Sequence, residues 1–158
     1  MRLAVLCAWL ALVALLVLTL PLLPARVASP GHAGQALPAL GYVALLAGTS
    51  GAVLALMSAP LLGWLGRHAP LLVKVPHRRY WLAPERRDAS IARLRARMWP
   101  MQLYVLLVFA FVHLHVLWHA HPEWPQAPGR IWALVLPVHV VVAAVWSIGL
   151  RRAFPKPP

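Results

Sequence analysis

The stretch "FVHLHVLWHAH" (111–121) places His113, His115 and His119 toward the end of one apolar run, and a later apolar run carries His139. On a helix, residues four apart lie one above the other, so His115 and His119 share a face. That is a spacing from which two imidazoles can ligate a metal or haem. His113 lies about 160° around the axis from His115. If the two runs are antiparallel helices, His113 and His139 sit at similar depth and could face one another. The chemistry open to His113, His115, His119 and His139 is therefore haem or copper ligation, with quinone contact or proton relay as a further use. Against it stands the plainer reading of neutral imidazoles close to an interface. No carboxylate is at hand in these runs to orient a ligating ring. The default expectation is no cofactor, with haem or copper as the alternative.

A second constellation is "VPHRRYWLAPERR" (75–87), a polar island in an apolar chain. It brings His77, Tyr80 and Trp81 together with Pro84, Glu85, Arg86 and Arg87, a set suited to contact with a partner or a lipid surface rather than to catalysis. After Pro84 the chain continues "ERRDASIARLRARM", with acids where a helix N-terminus favours them. At 100° per residue Ile91, Leu94 and Met98 share one face, and Arg86, Arg93 and Arg97 another. The segment reads as an amphipathic helix lying on a membrane surface, its arginines toward anionic headgroups.

The elements that must position these residues follow from composition. Of 158 residues 61% are apolar and 11% charged. A soluble domain is about half apolar and a quarter charged. Spanning a bilayer takes about 20 apolar residues as a helix, and four segments qualify: 3–23, 40–65, 98–120 and 131–150. The first is longer than a secretion-signal core and is expected to be a retained span.

Direction comes from charge. Arg2, the loop 66–97 and the tail from Arg151 hold thirteen of the fifteen basic residues. Lys and Arg concentrate on the cytoplasmic side, so both termini and loop 66–97 are expected there, with 24–39 and 121–130 outside. The net charge of +12 thus reads as a topology signal and not as a nucleic-acid footprint.

The only acids are Glu85, Asp88 and Glu123, and Cys7 is the single cysteine. No Ser-His-Asp set, phosphate-binding glycine loop, Cys-based metal motif or intrachain disulfide can be assembled. Ion-coupled transport, which uses intramembrane carboxylates, ranks low, and an enzyme is not expected. In the second apolar run Ala47, Gly51, Ala55 and Ala59 recur every four residues, a small-residue seam for helix packing or for a homo-oligomer.

"KVPHRRYWLAPERR" resembles the cytoplasmic signature of a family of small bacterial membrane proteins carrying a domain of unknown function, N-[IL]-P-[HN]-[RK]-x-Y-W-L-A-P-E-R-R. "LPARVAS" (23–29) is similar to that family's segment after its first span. The family is similar in turn to the N-terminal part of membrane immunity proteins that protect cells from killing peptides. The resemblance covers roughly residues 10–120. It implies Tyr80, Trp81, Pro84, Glu85, Arg86 and Arg87 as functional positions, a bacterial inner-membrane location and a membrane-protein partner. The expected fold is all-α: one bundle over 1–158 of four transmembrane helices, with a short amphipathic cytoplasmic helix between the second and third.

Overall fold

The computed structural model describes residues 2–28, 36–124 and 131–157. It is mostly helical. In chain order come α1 (Arg2–Leu18), β1 (Arg26–Ala28), β2 (Ala36–Pro38), α2 (Ala39–Leu56), α3 (Ala59–His68), α4 (Arg78–Trp81), α5 (Arg87–Ala120) and α6 (Ile131–Ala153), with single 3₁₀ turns at Leu20–Leu22 and Pro70–Leu72. Among the described residues, α2, α5 and a stretch of α6 from Leu134 are long and apolar enough to cross a membrane.

Local chemistry sets the ends. α1 has 17 residues, about 26 Å at 1.5 Å per residue, against a hydrocarbon core of roughly 30 Å. It stops short of the expected Leu23 because Pro21 cannot donate to the ladder and its ring would meet the carbonyl four residues back. The Thr19 hydroxyl donates to the Leu15 carbonyl at 2.6 Å, and the 3₁₀ turn carries the chain onward.

The expected span 40–65 is two helices. Ser58 is extended (ψ 152°), its side chain accepts from the Leu61 N–H, and Pro60 lies in the first turn of α3, a start signal that overrides the unbroken apolar run. The small-residue stripe is therefore cut before Ala59. The expected span 98–120 is the later part of α5, a helix of 34 residues that continues through Pro100, and α6 continues through Pro137. In the expected outer loop, β1 and β2 pair antiparallel with Val27 opposite Leu37.

The contacts divide into two compact units. The first contains α1, the hairpin, α2 to Ala55 and α5 from Gln102. Leu12, Leu16, Tyr42, Val43, Leu106 and Leu117 form its core. The Trp9 indole donates to Ser50 Oγ at 3.2 Å, and a Cβ on Gly51 would stand 3.3 Å from the Trp9 ring. Gly51 thus admits the indole.

The second unit contains α3, α4, α5 to Met101 and α6, around Leu62, Val73, Leu82, Ile91, Leu94 and Phe154. Gly66 lets Ile91 approach, since a Cβ there would fall 2.5 Å from Ile91 Cδ1. The span-length helices leave large side chains outward, Leu107 at 67% and Leu136 at 72% exposure among them, as a lipid-facing surface requires.

Candidate functional site

The block from Tyr80 to Arg87 is built as a turn and not as an extended loop. His77 adopts left-handed backbone (φ 50°), a conformation that costs a non-glycine residue about 1–2 kcal/mol. Its carbonyl accepts from the amides of Tyr80 and Trp81 at 2.9 and 3.2 Å, starting α4. The Ala83 carbonyl accepts from Arg86 and Arg87 at 3.0 and 2.9 Å. Leu82 is buried and its carbonyl accepts from Arg87 Nε at 3.3 Å.

This turn grips the segment after α6. The Trp81 indole N–H donates to the Pro155 carbonyl at 3.1 Å, and its ring meets the Phe154 ring edge-on at 5.8 Å. Phe154 is 1% exposed. The Arg93 guanidinium carbon stands 5.1 Å from the Trp81 ring centre, and Nη1 donates to the Ala153 carbonyl at 2.9 Å. A cation there satisfies an orphan carbonyl in the last turn of α6 and opposes its dipole.

Arg93, one of the arginines expected to face headgroups, is exposed, and its guanidinium also lies against Trp81 and the Ala153 carbonyl. Arg97 is exposed, as is Arg86, whose guanidinium stacks over Tyr80 at 4.2 Å. Pro84 and Glu85 are exposed. Among the described residues the one ion pair joins His121 and Glu123, so there neither Glu85 nor any arginine or lysine whose side chain is described has an ion-pair partner.

The histidines differ in their surroundings. His113 is fully buried in the first unit. Its Nε2 lies 2.7 Å from Thr19 Oγ1 and its Nδ1 3.3 Å from the Tyr42 hydroxyl. The Thr19 hydrogen is already given to Leu15. The network therefore assigns the Nε2–H as donor to Thr19 and Nδ1 as acceptor from Tyr42. Both ring nitrogens are used in joining α1, α2 and α5.

The His115 and His119 rings lie tilted by 59° with centres 3.9 Å apart, and the His119 Nδ1–H donates to the His115 carbonyl at 3.1 Å. His139 Nδ1–H donates to Val135 in its own helix at 2.7 Å. Among the described residues no three His, Cys, Asp or Glu side chains converge to hold a metal.

Near the expected outer face, His121 Nε2–H donates to the Leu22 carbonyl at 2.7 Å and Nδ1–H to Glu123 Oε1 at 2.7 Å. The Glu123 hydrogen bond and that to Leu22 hold the imidazole above its ordinary pKa. The Glu123 carboxyl is held below its ordinary range by its own backbone amide and by His121.

Reading the chain as a sequence misses Phe154, Thr19 and Tyr42. Phe154 stands between "RRA" and "PKPP", where a lone aromatic after two arginines and before proline is the available signal. Thr19 near the end of an apolar run ordinarily bonds only to its own helix, and Tyr42 near the start of one reads as an interfacial ring.

No protein-family model, no curated protein and no solved structure matches this chain.

Proposed function

We propose that this chain is a four-span protein of the bacterial inner membrane, both termini in the cytoplasm, that acts without catalysis as an accessory or immunity-like protein. Its working surface is the cationic face organised by Tyr80, Trp81, Pro84, Glu85, Arg86 and Arg87. The observation that carries this reading is the absence of ion pairs for any arginine or lysine among the described residues. Unneutralised cations beside apolar helices attract anionic headgroups and acidic segments of a neighbouring membrane protein, each cation near such a surface contributing about 1 kcal/mol. The fourth span is α1 extended by its 3₁₀ turn, which adds roughly 6 Å and brings the length to that of the hydrocarbon core. The resemblance of "YWLAPERR" to the signature of immunity-related membrane proteins supports the same reading.

Reporter fusions at Gly31 and Ser90 test the threading: a cytoplasmic signal at Gly31 overturns it. The activity is tested by challenging cells with a membrane-active killing peptide. Cells producing the chain should survive better than cells lacking it. Trp81→Ala with Arg86→Ala should remove that protection at unchanged membrane abundance, and equal survival of the two strains would rule the function out.

A further inference from the structure

The docked tail does more than bury Phe154. It closes a recess of about 470 Å³ lined by Pro76, His77, Arg151, Phe154 and Lys156. A second recess of about 420 Å³ is lined by His77 as well, with Arg78, Arg79, Tyr80 and Pro157. Basic side chains line both, Arg151 and Lys156 the first and Arg78 and Arg79 the second, and neither is lined by a carboxylate. The walls are held in place. Trp81 pins Pro155, which places Lys156 and Pro157. Arg78 Nη1 donates to the Leu71 carbonyl at 3.0 Å, and the left-handed His77 turns the chain between the two recesses. Backbone held in a costly conformation by its surroundings is a feature of ligand-binding turns.

Arg151 lies in the last turn of a span-length helix and Lys156 just beyond it, the depth at which phospholipid phosphates lie. We infer that the recess between His77, Arg151 and Lys156 is a binding site for one phosphate-bearing headgroup. The two cations take the phosphate, and Pro76 with Phe154 lies against the apolar part of the ligand. This rests on the membrane reading above and gives its cationic face a specific ligand class. It also assigns the Tyr80–Trp81 pair a positioning role, since Trp81 fixes the tail that supplies Lys156.

The test uses the purified full chain in a mild detergent, with bound ligand counted by native mass spectrometry. The probes are phosphatidylglycerol, phosphatidylcholine and inorganic phosphate. One phosphatidylglycerol per chain should be retained in preference to phosphatidylcholine. Each cation removed should weaken it roughly fivefold, about 25-fold for Arg151→Gln with Lys156→Gln. Arg67→Gln with Lys74→Gln removes the same net charge from exposed positions that line neither recess and should stay within about twofold of the parent chain, as expected for screened surface charge. Arg151 and Lys156 are exposed, so Arg151→Gln and Lys156→Gln leave the core intact, and Lys156→Glu provides a second, stronger block.

Inorganic phosphate that binds alone and displaces the lipid keeps the site and assigns it to soluble phosphate compounds. Equal weakening in the two double variants, or equal retention of the two lipids, overturns the site. The survival assay separates the two ideas. Lipid retained by the parent chain with no protection over cells lacking it keeps the site and removes the proposed function, whereas protection by a parent chain that retains no preferred lipid does the reverse.

Discussion

The indole N–H of Trp81 donates to the carbonyl of Pro155 across 3.1 Å, joining residues 74 positions apart in the chain. Around that bond gather the edge of Phe154 and the guanidinium of Arg93. A motif that reads as a partner-facing block is thereby also the clamp on the chain after α6. The turn divides its residues: Glu85 and Arg86 are exposed, whereas Leu82 is buried and Trp81 half-buried.

The clamp can be tested by removing only its hydrogen bond. Trp81→Phe keeps an aromatic ring beside Phe154 and Arg93 but loses the donor, at a cost of about 1 kcal/mol. Hydrogen exchange at Phe154 and Lys156 should rise severalfold while the rest of the chain is unchanged. Unaltered protection would mean that the indole bond does not hold the tail.

Phe154 should be the most sensitive position after residue 150. It is buried at 1% exposure, and truncating such a phenylalanine costs about 3–5 kcal/mol. Phe154→Ala should lower the thermal unfolding temperature in detergent by many degrees, and Phe154→Leu by less. A melting curve for Phe154→Ala that overlays the parent would refute its place in the core.

His113 and Tyr42 should be energetically coupled. Removing the imidazole with His113→Leu leaves the Tyr42 hydroxyl buried without its acceptor, so Tyr42→Phe should cost less in that background than in the parent. Interhelical hydrogen bonds in membranes are worth about 0.6 kcal/mol on average, up to about 1.7, and the double-mutant cycle should return a value in that range. Strict additivity in a denaturing-detergent titration would argue that the bond carries no stability.

The His121–Glu123 clasp is pH-dependent, with signs that follow from the two shifts. The raised pKa of His121 means that its contribution is fully present below about 6.5 and is lost as pH rises through the higher folded value. The lowered pKa of Glu123 means that its contribution is present above its ordinary value and is lost as pH falls through the lower one. The clasp is therefore strongest between the two. Trp124 stacks on His121 at 4.5 Å, so its fluorescence should titrate with a midpoint above about 6.5. Glu123→Gln should move that midpoint downward, and His121→Asn should abolish it. A midpoint indifferent to Glu123→Gln would dismiss the pairing.

Much of the fold was legible in the residues because the signals are local. Apolar runs too long for a soluble core announced the helices that can cross a membrane, and Pro21 and Ser58–Pro60 carry the chemistry that ends or restarts them. The spacing of Ile91 and Leu94 indicated a shared apolar face, and both are buried. The break before α3 was readable in principle from Ser58 and Pro60 but was outweighed by an unbroken hydrophobic run. The hairpin was not, because β1 and β2 are three residues each, too short for alternation to register.

By itself, then, the sequence determined composition, element type and the intrinsic face of each helix, since these depend on neighbours within a turn or two. Only the tertiary structure decided that His113 spends both nitrogens on Thr19 and Tyr42, 94 and 71 residues away, and that Phe154 lies beneath Trp81. Those pairings arise when distant segments close on one another. Burial then selects which polar groups must find partners, because a buried donor left unmatched costs more than the bond itself contributes.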